Sequence, residues 1–291
     1  MSKLASLVSV LLSSVLILAL TGCASTPTAT TATATSPNLR LYVFNCGTID
    51  VADISVFHPG IGKGEHKRLT DSCYLIVHPK GALMWDTGLP DALINIPEGK
   101  TVYNLFTMHV TKTLASQFKE VGYAPDTIKY LGISHMHSDH IGNVNLFPHA
   151  TLLMQKEEYA AAFGPEPAKF GFSPENYPTL HANPVKLLEG DYDVFGDGTV
   201  VIKRALGHTP GHQALFVKLP KTGNVLLSGD LVHFTENWEH KYVPGFNFDK
   251  EQSLKTMNDV AQFLKDNHAV LWIQHDLEQN EGIAHAPKYY E

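Results

Sequence analysis

The chain has 291 residues, 44% of them apolar, which allows one large domain or two small ones around a real core. A formal net charge of −7 with no basic stripe argues against a general nucleic-acid binder. The 16 histidines are the compositional oddity, and several of them fall in tight clusters.

At the N-terminus, Lys3 precedes an apolar run, "LVSVLLSSVLILAL" (residues 7–20), that is short for a membrane span and reads as the core of a signal peptide. It ends in "LTGC" (residues 20–23), which resembles the lipobox of bacterial lipoproteins. That resemblance implies removal of residues 1–22 and lipidation of Cys23. Ala24, in place of an aspartate, fits the outer membrane. The expected location is therefore exported and lipid-anchored, on the outer membrane facing the periplasm. A plain secretory signal or an N-terminal anchor helix is the alternative. Residues 23–37 are rich in Thr, Ala and Pro and read as a flexible tether, so the globular domain is expected over residues 38–291. Cys46 and Cys73 could pair in an oxidising compartment, but sequence alone favours two buried free thiols.

"LRLYVFN" (residues 39–45) alternates like a strand, and "CYLIVH", "PKG" and "ALMWD" (residues 73–86) read as a hairpin. Val110, Leu114, Phe118 and Val121 recur at helical spacing, with Gly122 as a stop. "YLGIS" (residues 130–134) and "TLLMQ" (residues 151–155) are strands, and "KEEYAAAF" (residues 156–163) is a helix. Residues 164–184, rich in Pro, Gly and aromatics, suggest an insertion or lid rather than core. Strands are expected at residues 199–205, 213–219, 225–229 and 269–273. Leu254, Met257, Val260, Ala261 and Leu264 mark an amphipathic helix. Hairpins interrupt the βα rhythm, which suits a layered α/β domain better than a simple parallel sheet.

His135, His208, Asp230 and His275 each lie just beyond an apolar strand, where side chains converge at one sheet edge. "HMHSDH" (residues 135–140) spaces His135 and His137 two apart, so both point the same way in an extended segment, while a turn brings Asp139 and His140 to a neighbouring position. Imidazole and carboxylate are zinc ligands of hydrolytic sites, and a mononuclear site needs only three of them plus water. The surplus points to two metals if further ligands arrive from elsewhere; His208, Asp230 and His275 are candidates, although spacing alone does not choose between His208 and His212. His58, His109, His149, His181, His240 and His268 carry no such context and read as ordinary histidines.

"HMHSDH", "GHTPGH", "LLSGD" and "QHDLEQ" together resemble the metallo-β-lactamase superfamily, and within it the N-acyl homoserine lactonases. Supporting stretches are "CYLIVHPKGALMWDTGLP" (residues 73–90), "VGYAPD" (121–126), "EGDYDV" (189–194) and "HDLEQ" (275–279), so the likeness runs from Leu39 to the end. It implies a four-layer αβ/βα sandwich and two Zn2+ per chain, other divalent metals being open. One zinc is assigned to His135, His137 and His208, and the other to Asp139, His140 and His275, with Asp230 bridging. His212 and Asp86 are expected behind the ligands, Asp86 orienting the metal loop. The family often carries a tyrosine three residues past the bridging aspartate; here that position is His233, which can donate to or polarise a carbonyl.

The implied reaction is attack of a metal-bridging hydroxide on the lactone of an N-acyl homoserine lactone, a quorum-quenching activity. Asp139 would pass a proton to the leaving ring oxygen. Phe170 and Phe172 are the expected acyl-chain contacts. The expected partners are this small lactone and the membrane holding the lipid anchor, and a homodimer is left open. A β-lactam, phosphotriester or thioester hydrolase on the same site is the alternative, although a bridging Asp230 argues against a typical β-lactamase. A non-catalytic metal-binding lipoprotein would have no use for seven convergent ligands, and the interspersed strands and core argue against a bare zinc store.

Overall fold

The computed structural model describes residues 39–291; the expected signal peptide, Cys23 and the expected tether lie outside the described residues. One sheet is built from β1 (Arg40–Val51), β2 (Lys67–His78), β3 (Gly81–Trp85), β4 (Lys100–Val102), β5 (Phe106–His109), β6 (Tyr130–Gly132), β7 (Thr151–Gln155) and β8 (Val185–Leu188). Its order is β4-β5-β1-β2-β3-β6-β7-β8. The other comprises β9 (Tyr192–Asp193), β10 (Val200–Arg204), β11 (Gln213–Leu219), β12 (Gly223–Leu227) and β13 (Ala269–Trp272), in the order β13-β12-β11-β10-β9. Among the described residues five α-helices complete the fold: α1 (Leu114–Glu120), α2 (Lys156–Phe163), α3 (Thr235–His240), α4 (Lys250–Asp266) and α5 (Leu277–Glu281).

The period-2 alternation of the strands sorts the layers. On β2, Tyr74 and Ile76 face the second sheet and pack with Val200, Ile202, Leu215, Val217 and Trp272. Cys73, Leu75 and Val77 face the opposite way, into a core shared with Leu114 and Phe118 of α1 and Ala161 and Ala162 of α2. β2 is thus covered on both sides, which is why it reads as a near-continuous apolar run. On the outer face of the second sheet, Phe216, Leu226 and Leu271 pack against Met257, Val260 and Leu264 of α4. Helix, sheet, sheet and helix make the four-layer sandwich.

Three expectations are corrected. Helix α1 begins at Leu114, because the Thr113 side chain caps the Ser116 N–H there; Val110 packs elsewhere, with Leu89 and Phe234. Residues 164–184 are not a lid. They form short 3-10 turns whose Phe172, Tyr177 and Leu180 enter the α1/α2 core, and the Tyr177 hydroxyl donates to the Ala162 carbonyl at 2.8 Å. Cys46 and Cys73 are a disulfide rather than two thiols. The bulge between Asn45 and Gly47 on β1 carries Cys46 to a Cα separation of 6.0 Å from Cys73 on β2, within bonding reach.

β3 and β6 run parallel, as do β12 and β13, while β10 is antiparallel to β11 and β11 to β12. The chain therefore leaves β10, β12 and β13 in the same direction, each toward a candidate ligand. That common direction is what gathers the site.

Candidate metal centre

Asp86 follows β3, the His135–His140 segment follows β6, and His208, Asp230 and His275 follow β10, β12 and β13. Their polar atoms meet in two groups: His135, His137, His208 and Asp230, and Asp139, His140 and His275. In the first, His135 Nε2 lies 2.9 Å from His137 Nδ1 and 3.2 Å from His208 Nε2, and His208 Nε2 lies 3.0 Å from His137 Nδ1. In the second, His275 Nε2 is 3.3 Å from His140 Nε2 and 3.8 Å from Asp139 Oδ2. Asp230 stands between them. Its Oδ2 is 3.3 Å from His208 Nε2 and 3.6 Å from His135 Nε2; its Oδ1 is 3.2 Å from His140 Nε2 and 3.1 Å from His275 Nε2.

The far nitrogens fix what the near ones present. His137 Nε2–H donates to the Phe170 carbonyl at 3.0 Å, and His275 Nδ1–H donates to the Thr70 carbonyl at 2.8 Å. His140 Nδ1–H donates to Asp86 Oδ2 at 3.0 Å. His208 Nδ1–H donates to Asn247 Oδ1 at 3.0 Å, the amide being oriented by Asn247 Nδ2 donating to Ser253 Oγ. Carbonyl and carboxylate oxygens only accept, so these four imidazoles, when neutral, turn lone pairs inward. Asp230 Oδ1 is buried, and among the described residues no N–H is aligned on it despite the two nearby imidazoles. Converging lone pairs around an unsatisfied buried carboxylate are a donor set for cations, and the N,O chemistry fits zinc.

Electrostatics divide the imidazoles into two kinds. Burial, reinforced by His140, holds His135 well below the usual imidazole range, and burial does the same to His208. At His140 and His275 burial also opposes charge, but the nearby carboxylates together outweigh it, Asp230 and Asp139 at both and Asp86 at His140, and raise both, His275 to about 9. Burial would raise Asp230, yet His140, His275 and His233 together hold it well below the carboxylate range.

Asp86 and His212 sit behind the candidate ligands. Asp86 Oδ1 accepts the Ser134 N–H at 2.6 Å, so one carboxylate fixes both His140 and the start of the histidine loop. His212 Nδ1–H donates to the Ala205 carbonyl at 2.8 Å and Nε2 accepts the Asp230 N–H at 2.9 Å; both nitrogens are used, which leaves none for a metal. Gly229 makes this approach possible. Its φ is +52°, and a Cβ there would stand 2.7 Å from His212 Nε2 and 2.8 Å from Ser134 Cβ.

His233 Nε2 is 3.1 Å from Asp230 Oδ2, and its ring packs on Phe57 at 4.6 Å, while its buried Nδ1 has no partner among the described residues. Asp139 and His137 are the half-buried members of the set. Phe172, 1% exposed, packs on the His137 ring at 5.6 Å and offers no surface to a ligand, which corrects its expected acyl contact. Phe170 is half-buried and meets Phe248 at 5.6 Å. The apolar rim lies on residues 244–249 instead. Phe246 is 47% exposed and 6.0 Å from the His208 ring and 5.8 Å from His233, and Phe248, 57% exposed, donates its N–H to the His208 carbonyl. Sequence reasoning passed over Phe246, Phe248, Asn247 and Glu158. Glu158 carried a signal: an acid on the helical face of Ala161 and Ala162.

The model of the metallo-beta-lactamase superfamily matches residues 67–266. The chain belongs to that superfamily. Within the superfamily it is 31% identical over 256 residues to the N-acyl homoserine lactonase AiiA of Bacillus thuringiensis subsp. kurstaki, covering 86% of this chain and 98% of the relative. It is 29% identical over 261 residues to the N-acyl homoserine lactonase AttM of Rhizobium radiobacter, covering 87% and 99%. A solved N-acyl homoserine lactone hydrolase, with the product N-hexanoyl-L-homoserine bound at its catalytic metal center, matches with a TM-score of 0.75 at 30% identity, over 86% of this chain and 98% of that one.

Proposed function

We propose that the chain is a hydrolase that opens the lactone ring of N-acyl homoserine lactones at a two-zinc centre. The observation that carries the reading is Asp230, whose two oxygens face the two histidine clusters separately. Near-complete coverage of the lactonase relatives supports the substrate class. His135, His137 and His208 would hold one ion, Asp139, His140 and His275 the other, and Asp230 both. When bound, such ions supply a Lewis acid and a water acidic enough to act as nucleophile near neutral pH.

The remaining work falls to side chains. His233, whose Nδ1 has no partner among the described residues, would donate a hydrogen bond to the lactone carbonyl oxygen as charge builds on it. Water adds to the acyl carbon and gives a proton to the Asp139 carboxylate, which is half-buried with access to solvent; as the ring C–O bond breaks, Asp139 returns that proton to the ring oxygen. The product is the open-chain N-acyl homoserine. Phe246, Phe248 and Phe170 form an apolar rim beside the clusters that suits an acyl chain. Hydrolysis of a lactone panel followed by pH-stat, with a chromogenic cephalosporin and a phosphotriester alongside, tests the assignment. Rapid cephalosporin cleavage without lactone turnover would reverse it.

The same reading extends to location. We propose export and lipid attachment at Cys23, supported by the N-terminal sequence and by the Cys46–Cys73 disulfide, a bond typical of oxidising compartments. Labelled palmitate should enter the intact protein and not Cys23→Ala; equal labelling would refute it.

A further inference from the structure

Glu158 lies on α2 with 0% exposure. Its Oε1 accepts the Met136 N–H at 2.9 Å, and its Oε2 accepts the Thr209 hydroxyl at 2.7 Å and the Gly211 N–H at 2.8 Å. Met136 stands between His135 and His137, and Thr209 follows His208 directly. One carboxylate thus ties a core helix to both loops that supply the first cluster's three imidazoles. The approach is close on the backbone side too, since a Cβ on Gly211 would stand 2.3 Å from the Glu158 nitrogen. The second cluster is anchored elsewhere, His140 on Asp86 and His275 on the Thr70 carbonyl.

We propose that Glu158 is a positioning residue that sets the metal affinity of the His135, His137 and His208 cluster selectively, while Asp86 serves the other cluster. The inference rests on the two-metal reading of the site. A buried carboxylate that accepts three donors holds both loops at one spacing. Without it those donors are left unpaired in the interior, and the loops relax away from the position at which the imidazoles converge. Partners that orient metal ligands typically change affinity by about 10–100-fold when removed.

The test is ion binding by the full chain. Zn2+ is titrated against a competing chelator, and Co2+ derivatives are examined for the shifted imidazole N–H resonances in proton spectra. Glu158→Gln keeps the volume but turns an NH2 toward a donor. It should weaken one ion by about 10–100-fold, remove the His137 and His208 signals, and retain those of His140 and His275. Thr209→Val, which deletes a single donor, should do the same to a smaller extent, and Asp86→Asn should show the mirror image. Equal weakening of both ions, or unchanged affinities with only a lower melting temperature of the metal-free chain, would overturn the proposal. The readout is binding, so an inactive wild type toward lactones would sink the proposed substrate and leave this comparison intact.

Discussion

Replacing Phe246 and Phe248 by alanine should flatten the dependence of rate on acyl-chain length. A phenylalanine presents roughly 200 Å² in all. At 47% and 57% exposure, the two rings together leave about 200 Å² open beside His208 and His233. Covering all of it would be worth about 5 kcal/mol at about 25 cal/mol per Å². A flexible chain lying along one side covers about half, or about 2.5 kcal/mol. Spread over the methylenes that separate a butanoyl from a decanoyl lactone, this is about 0.4 kcal/mol each, or roughly 70-fold in kcat/KM across the series. The assay is kcat/KM for the straight-chain series with wild type and the double variant. The variant should lose most of that gradient while its rate on the butanoyl substrate changes little. A parallel loss on every chain length would refute the rim as the acyl site.

Other expectations follow from single contacts. Cys46 and Cys73 are 27 residues apart, so Cys46→Ala with Cys73→Ala should cost about 3.5 kcal/mol of unfolding free energy; urea titrations that coincide would contradict this. Burial pushes Asp71 up to about 7, and its Oδ1 has no partner among the described residues. A carboxyl raised in the folded state is stabilising while protonated and loses that advantage as pH rises from about 4 through 7. With ions removed by chelator, Asp71→Asn should therefore gain on wild type over that window, by up to the order of 4 kcal/mol, and stay level above it. A gap in unfolding free energy that is constant from pH 4 to 8 would refute the titration. His233→Phe keeps the packing on Phe57 but removes the donor, so kcat should fall by about 10²-fold with little change in KM; an unaltered kcat would make His233 a wall of the cleft.

Much of the centre was legible because its ligands are local or punctual. Four of the candidate ligands share six residues, and the other three each follow an apolar strand; that position made them candidates, and the family resemblance chose them, His208 over His212 included. Parallel directions of β10, β12 and β13 then did the assembly. What escaped depends on separations that a linear pattern does not encode. Whether Cys46 could reach Cys73 turned on a bulge in β1. A run of Pro, Gly and aromatics has the same composition whether it covers a cleft or fills a core, and Phe172, Tyr177 and Leu180 fill one. Val110 shares the period of α1 by chance, while the Thr113 cap sets the true start. Phe246 and Phe248 sit in a loop without periodicity, so nothing in the spacing marks them out.

The central claim, a two-ion lactone hydrolase, is tested most directly by reconstituting chelated protein with Zn2+ while following ring opening of N-hexanoyl-homoserine lactone. The account predicts no turnover without metal and activity that rises to a plateau at two ions per chain. Full turnover by the metal-free chain, or none at saturation with Zn2+, Co2+ or Mn2+, would contradict it.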